Sequence, residues 1–309
     1  MKFLILTILI SIISAIPFDD RIIFRDEDEE QVNDSAADLN FDQLRLLNDP
    51  SSKILKSLND SKEFIRDEKE LQKLENGQFY QGDIVLLPDQ EEILNQPLPA
   101  DNDNFPTRTG LISEYYRWPR NRDGKVIVPY EIGKEYSLYD RIRMYLAMFD
   151  IERYTCIHFK QRVGEEDYVH IKSGNGCSSN LGKVGGRQDI SLKRNGCLSR
   201  GTIQHELIHA LGYDHMHSHS DRDKYVTIVW NNIDRKAYNN FEKNDPRKFS
   251  NFGTDYDFYS VMHYNPTAFS SNGKRTIVPK IEKYRNVIGQ RVGLSEGDAQ
   301  RINNMYNCQ

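Results

Sequence analysis

The sequence predicts an α+β fold for residues 109–309, with several short strands and two helices. Residues 139–155, YDRIRMYLAMFDIERYT, place apolar side chains at helical intervals. Residues 125–132, KVIVPYEI, alternate apolar and polar side chains, and 158–162 and 168–173 are typical of further short strands. A second helix is predicted from Thr202 as its N-cap to Gly212.

The N-terminus predicts a secretory signal peptide over residues 1–15. MKFLILTILISIISA has a lysine, an apolar run and small residues at Ser14 and Ala15. The run is too short to cross a bilayer comfortably. A signal anchor is the alternative, and it is disfavoured because no later apolar run reaches transmembrane length. We therefore expect a secreted protein without a membrane span.

Charge divides the rest of the chain. Residues 16–108 carry a formal charge of −13 and residues 109–309 a formal charge of +7. Within the acidic segment, residues 53–76 predict a half-exposed helix and residues 83–88 a strand. The linker QPLPADNDNFPTRTG, residues 96–110, contains Arg108 and is where a protease would cut. The segments are therefore 1–15, 16–108 and 109–309.

The cysteines and sequons agree with secretion. Cys156, Cys177, Cys197 and Cys308 are an even set, which in an oxidising compartment predicts two disulfides with three alternative pairings. Asn33 and Asn59 each begin an Asn-X-Ser triplet and are candidate glycosylation sites. The sequence contains no internal repeat, phosphate loop or nucleic-acid motif, so we expect no nucleic-acid partner.

The histidines predict a metal site. On a helix, His205 and His209 project from one face, and Gly212 allows the chain to return His215 as a third ligand. Glu206 lies beside the first ligand without being one. Three neutral imidazoles and an open position are typical of a catalytic zinc site that binds one Zn²⁺. Such a site, with Glu206 as general base and acid, is suited to hydrolysing peptide bonds.

Two features separate this pattern from chance. HExxH alone occurs by accident on ordinary helices, whereas HExxHxxGxxH rarely does. Residues 260–264, SVMHY, add a Met-containing turn, and the two together define the metzincin proteases. Met262 is therefore predicted to form an apolar floor under the metal. His217 and His219 lie in a polar stretch, which predicts solvated or hydrogen-bonded roles, and His158 and His170 are expected to pack.

Across residues 109–309 the sequence resembles the astacin family of zinc endopeptidases, a branch of the metzincins. The segments that carry the resemblance are GCSSNLGKVGGRQDISL (176–192), GCLSRGTIQHELIHALGYDHMHSHSDRD (196–223), DYDFYSVMHY (255–264) and VIGQRVGLSEGDAQRINNMYNC (287–308). The resemblance implies a zincin-like α+β fold. Its N-terminal subdomain would have a twisted, mixed sheet with two long helices, its C-terminal subdomain would be irregular, and the zinc cleft would lie between them. It also implies zinc ligation by His205, His209 and His215, with Tyr264 as a further, displaceable ligand that can stabilise an oxyanion.

The resemblance extends to the disulfides and the substrate. It implies the pairs Cys156–Cys308 and Cys177–Cys197. It also implies that an extended protein or peptide substrate adds to an edge strand by β-augmentation. The residues of that strand are Gly176, Cys177, Ser178, Ser179 and Asn180.

The acidic segment gains a role as a propeptide. Tyr80-Gln81-Gly82-Asp83 is similar to the family's FxGD-like motif, whose aspartate binds the zinc and displaces the catalytic water. Asp83 is thus expected to be a metal ligand in the zymogen only, so that the propeptide is an intramolecular inhibitor. Cleavage near Arg108 would release a domain that begins around Thr109. The alternative is that Gly82 and Asp83 form an ordinary turn.

Two residues depart from the family pattern. Met216 stands where the family usually has a glutamate that receives the mature N-terminal ammonium, and His219 stands where the family has arginine. We expect activity to survive with a differently held N-terminus, in a monomer. The alternative is a catalytically silent secreted relative that binds zinc or peptides. Another metzincin enzyme is disfavoured by Tyr264 and by the lack of a cysteine-bearing pro-motif. Arg285 and Arg291 are candidates for attracting an acidic substrate residue.

Overall fold

The computed structural model of the chain describes residues 79–95, 110–111 and 113–308. The α-helices of this part are α1 (Pro88–Asn95), α2 (Leu138–Tyr154), α3 (Arg200–Ala210) and α4 (Glu296–Met305). Its strands are β1 (Ile84–Val85), β2 (Gly110–Leu111), β3 (Val126–Ile132), β4 (Ile157–Gln161), β5 (Tyr168–Lys172), β6 (Cys177–Asn180), β7 (Arg187–Leu192), β8 (Val226–Ile228), β9 (Phe249–Ser250) and β10 (Ile277–Pro279).

Six strands form one sheet in the order β1-β6-β7-β5-β3-β4. β6 and β7 pair antiparallel, and the other neighbouring strands pair parallel. The sheet is therefore mixed, and the predicted α+β class is confirmed. β3, β4 and β5 lie within a residue of the positions that their alternating patterns predict.

Helix α2 crosses between the parallel strands β3 and β4 and begins with a capping box. Ser137 accepts a hydrogen bond from the Asp140 amide, and Asp140 accepts one from the Ser137 amide. Met144, Met148 and Ile151 lie on its inner face and are fully buried in the main core. The sequence predicts this helix at 139–155, within one residue of its observed bounds at each end.

Helix α3 is attached to α2 through a buried carboxylate. Asp150 of α2 accepts hydrogen bonds from Arg200 Nη2 at 2.5 Å and from Gln204 Nε2 at 2.7 Å. Two disulfides, Cys156–Cys308 and Cys177–Cys197, reinforce this half of the molecule. They are the pairs that the family resemblance implies. The first joins the segment after α2 to the segment after α4.

The second half is irregular, as predicted. Its regular pairs are short: β8 with β10 and β2 with β9. A second apolar core holds it together, and Met216, Phe241 and Tyr264 belong to this core. Since α3 belongs to the first core, the segment that follows α3 lies where the two halves meet.

The segment at residues 83–88 differs from its prediction. Within residues 83–88 only Ile84 and Val85 form a strand, and Pro88 begins α1 because proline suits the first helical turn, where its missing N–H costs nothing. The predicted helix at 53–76, the signal peptide at 1–15, Asn33, Asn59, Arg108 and Thr109 lie outside the described residues. In the described part, no helix has both the length and the apolarity needed to cross a membrane.

Candidate metal centre and active site

Helix α3 presents two of the predicted ligands. Its N-cap is Ser199, whose hydroxyl accepts from the Thr202 amide at 3.2 Å. The predicted N-cap, Thr202, was therefore wrong by three residues and lies in the first turn instead. Gly212 ends the helix with φ of 106°, a left-handed conformation that glycine adopts without strain. The chain turns there and brings His215 back toward His205 and His209.

Three imidazoles and one carboxylate converge at this point. Nε2 of His205 lies 3.1 Å from Nε2 of His209 and 3.2 Å from Nε2 of His215. The Asp83 carboxylate lies 3.1 Å from His205 Nε2, 3.5 Å from His209 Nε2 and 3.3 Å from His215 Nε2. All four side chains are buried, and their ligand atoms lie within 4.8 Å of one another.

The outward ring nitrogens define the tautomers. Nδ1 of His205 is 2.8 Å from the Val261 carbonyl, Nδ1 of His209 is 2.6 Å from the Tyr213 carbonyl, and Nδ1 of His215 is 2.8 Å from Gln81 Oε1. Each partner oxygen can only accept, so Nδ1 carries the proton and Nε2 has its lone pair toward the centre. This donor set fits a zinc ion, because the acceptors on Nδ1 orient the rings as ligands.

Burial sets the protonation states. It lowers the pKa of His205 to about 3 and the pKa of His215 to about 4, so both imidazoles are neutral near pH 7. Burial alone would raise the pKa of Asp83, whereas a proton shared with His215, His209 or His205 attracts its charge and lowers that pKa well below its usual range. Neutral imidazoles beside an ionised carboxylate are the states in which these groups bind a cation.

The other predicted active-site residues lie nearby. Glu206 is buried on α3. Tyr264 donates a hydrogen bond from its hydroxyl to the backbone carbonyl of Gln81. Met262 is buried, and its carbonyl accepts from the Met216 amide at 2.9 Å. The turn that contains Met262 is held by Asp298, which accepts from the Val261 amide at 2.8 Å.

The segment that contains Asp83 reaches the centre through a tight turn and a strand. Gln81 and Gly82 have φ of 48° and 92°, which points the Asp83 side chain toward the histidines. The Ser179 amide then donates to the Asp83 carbonyl at 3.0 Å, and β1 pairs parallel to β6. The predicted substrate segment, Gly176 to Asn180, includes all of β6. In this chain β1 occupies the free edge of that strand.

Sequence reasoning missed the role of Gln81. Its side chain accepts from His215, and its carbonyl accepts from Tyr264. The only available signal was its place between Tyr80 and Asp83 in the propeptide motif.

The prediction of solvated roles for His217 and His219 was wrong, although hydrogen-bonded roles were correct. Both side chains are buried. His217 Nε2 is 2.7 Å from the Asn240 carbonyl, and the Asp221 amide donates to His219 Nδ1 at 3.0 Å. Residues distant in sequence, such as Asn240, bury this polar stretch.

The two candidate arginines differ in their contacts. Arg291 Nη1 donates to the carbonyls of Val261 and His263 at 3.0 and 3.1 Å, so its guanidinium stabilises the Met-containing turn. Arg285 pairs with Glu282 at 3.0 Å on the surface. Neither contact is with the four-residue metal cluster.

Comparison with known proteins agrees with this geometry. The family model of the astacin peptidases matches residues 112–307. The zinc metalloproteinase nas-8 of Steinernema carpocapsae is 38% identical over 249 residues, which are 80% of this chain and 56% of that protein. An astacin-like metalloendopeptidase of Gallus gallus is 48% identical over 195 residues, 62% of this chain and 46% of that protein. The chain thus spans about half the length of these curated relatives.

A solved structure is also similar. High choriolytic enzyme 1 of Oryzias latipes, described as a hatching enzyme zinc-protease, is 42% identical and has a TM-score of 0.61. The match covers 65% of this chain and all of that one. The motif, the cluster of three histidines and these matches agree. The chain therefore belongs to the astacin family of zinc endopeptidases.

Proposed function

We propose that this chain is a secreted zinc-dependent endopeptidase that is made as an inactive zymogen. The observation that carries the proposal is the position of Asp83, whose carboxylate lies 3.1 to 3.5 Å from three ligand nitrogens. A carboxylate there takes the coordination position that a catalytic zinc site keeps open. Removal of the propeptide would open that position.

The catalytic roles follow from the placement of the side chains. His205, His209 and His215 would hold Zn²⁺, which supplies Lewis acidity when bound. Glu206, adjacent to His205 on α3, takes a proton from the attacking water and delivers it to the leaving amine. The Tyr264 hydroxyl, which here donates to a propeptide carbonyl, donates to the substrate oxyanion instead. Met262 packs beneath the site.

The substrate is a protein or peptide bound in extended form. β1 already adds to β6 as a strand, which supports the assignment of residues 176–180 as the substrate-binding edge. Once β1 leaves, the Ser179 amide that donates to Asp83 becomes available to a substrate carbonyl.

Latency rests on a second anchor besides Asp83. Gln90 of α1 donates to the Leu181 carbonyl at 2.8 Å in a buried contact, and Tyr116 donates to Asp89 at 2.7 Å. The opposite charges of residues 16–108 and 109–309 favour the same association. We propose that cleavage near Arg108 activates the enzyme and leaves a domain that starts around Thr109.

Several features support secretion. Two disulfides suit an oxidising compartment, and residues 1–15 have the layout of a signal peptide. Asn33 and Asn59 would be glycosylated during secretion. We also propose that the enzyme is a monomer.

Casein hydrolysis tests the catalytic proposal. The full chain is secreted from cultured cells, cut with trypsin and supplied with zinc. We expect hydrolysis that a chelator abolishes and zinc restores, and none from Glu206→Ala with the same zinc content. A zinc-loaded, cut chain that hydrolyses no unfolded protein would identify it as the silent zinc-binding or peptide-binding relative.

A matched pair of propeptide variants tests latency. Asp83→Asn removes the carboxylate at the metal site, while Glu91→Gln removes an exposed one from α1, away from the histidines. We expect the uncut Asp83→Asn chain to hydrolyse casein at least tenfold faster than the uncut wild type, as roughly expected for the loss of a charged ligand. Equal latency in Asp83→Asn and the wild type would contradict the proposal.

A further inference from the structure

Tyr264 lies in an aromatic slot in which its nearest described ring is that of His217. The two ring centroids are 3.7 Å apart, and the ring planes differ by 21°. The rings of His215, Phe269 and Phe241 are farther away, at 4.5, 5.6 and 5.9 Å, and are tilted or edge-on. One face of the phenol is therefore covered by an imidazole that is not one of the three predicted metal ligands.

The orientation of the His217 ring is fixed by residues that are not metal ligands. Its Nε2 donates to the Asn240 carbonyl at 2.7 Å, because that oxygen can only accept. Phe241 contacts it edge-on at 5.5 Å. Among the described residues, the other ring nitrogen, Nδ1, is buried without a hydrogen-bond partner. The ring thus contributes a flat face at the cost of one unsatisfied polar atom.

We propose that His217 is a positioning residue for Tyr264: its stacked ring fixes the plane in which the phenol moves between the propeptide carbonyl and the substrate. The inference rests on the proposed function, in which the Tyr264 hydroxyl changes partner after activation. A ring that slides parallel to its neighbour keeps its dispersion contacts, and a ring that tilts away loses them. The stack therefore directs the hydroxyl along one path and limits its other orientations.

Two variants separate the effect of the planar His217 ring from the effects of its volume and its hydrogen bond. His217→Phe keeps a planar ring and His217→Leu fills the space without one, while both lose the bond to Asn240. Each full chain is cut with trypsin and loaded with zinc. We expect kcat of His217→Leu to fall about tenfold with KM within about twofold, and kcat of His217→Phe to stay within about threefold of wild type. If the His217→Leu chain does not fold, His217→Met takes its place as the variant without a planar ring.

Substitution of Cu²⁺ for Zn²⁺ gives a readout that does not need turnover. A phenolate that reaches copper(II) produces a visible charge-transfer band, and Tyr264→Phe identifies the contribution of Tyr264. We expect His217→Phe to keep the band and His217→Leu to shift or weaken it. Equal kcat and equal spectra in these two variants would overturn the proposal, as would a wild-type spectrum without a Tyr264-dependent band. Lack of hydrolysis by the wild type would contradict the proposed function instead, and the spectra would still test His217.

Discussion

Arg301 Nη1 lies 3.4 Å from the sulfur of Met216, and Arg301 Nη2 donates a hydrogen bond to the Asp298 carboxylate at 2.6 Å. Arg301 and Met216 are both buried. The position at which the family usually carries a glutamate therefore holds a neutral thioether beside a cation. An incoming ammonium would therefore find no carboxylate at residue 216 with which to pair.

This arrangement predicts that the mature N-terminus is not anchored at Met216. We expect a cut chain with two extra N-terminal residues to keep kcat/KM within about twofold, because no ion pair of residue 216 is lost. The measurement compares chains cut at the natural linker and at an engineered site two residues earlier. Met216→Glu is the control, since it restores an acceptor. A tenfold loss in the extended wild type would contradict the prediction.

The carboxylate of Asp150 should stabilise the fold through α3. Asp150→Asn removes the charge that Arg200 and Gln204 contact. We expect the free energy of unfolding to fall by about 3 kcal/mol, measured by urea denaturation. Glu282→Gln is the matched control, because its pair with Arg285 is exposed and should contribute under about 1 kcal/mol. Equal losses in the two variants would show that burial does not set the difference.

His219 should make stability depend on pH. Burial lowers its pKa in the folded chain to about 4, whereas an unfolded histidine titrates near 6.5. The stabilisation is therefore complete above pH 6.5 and is lost as the pH falls toward 4, because only the unfolded chain takes up the proton. The expected slope is about 1.4 kcal/mol per pH unit. His219→Gln, followed by urea denaturation between pH 7 and 4, should reduce the wild-type slope by this amount, and an unchanged slope would contradict the assignment.

The buried contact of α1 should contribute to latency. Gln90→Ala removes the donor to the Leu181 carbonyl and leaves that oxygen unpaired. We expect the uncut variant to hydrolyse casein roughly tenfold faster than the uncut wild type, consistent with a lost buried hydrogen bond. Glu91→Ala, which removes an exposed side chain from the same helix, is the control. Equal hydrolysis by the two variants would rule out a specific role for Gln90.

Local patterns predicted the elements that depend on local chemistry. The spacing of His205 and His209, the glycine after the helix and the apolar period of α2 each follow from neighbours within a few residues. The family resemblance supplied the cysteine pairs and Asp83, which spacing alone could not.

Other features depend on contacts between distant residues. The polar sequence around His217 suggests exposure, but Asn240 and Tyr264 bury its ring. The guanidinium of Arg291 contacts carbonyls of the Met-containing turn, which no sequence period indicates. The start of α3 was misplaced because Ser199 and Thr202 are both good caps, and only the fold selects between them.

The left-handed turn at Gln81 and Gly82 has a consequence for self-cleavage. A peptide that is hydrolysed lies extended across the catalytic residues, whereas this turn folds the chain back, with the Gly82 amide donating to the Phe79 carbonyl at 3.2 Å. The peptide bond that precedes Asp83 consequently lies in a turn and not in the extended form of a substrate. In the zymogen proposed above, the inhibitory segment would thus reside in the active site without being consumed as a substrate.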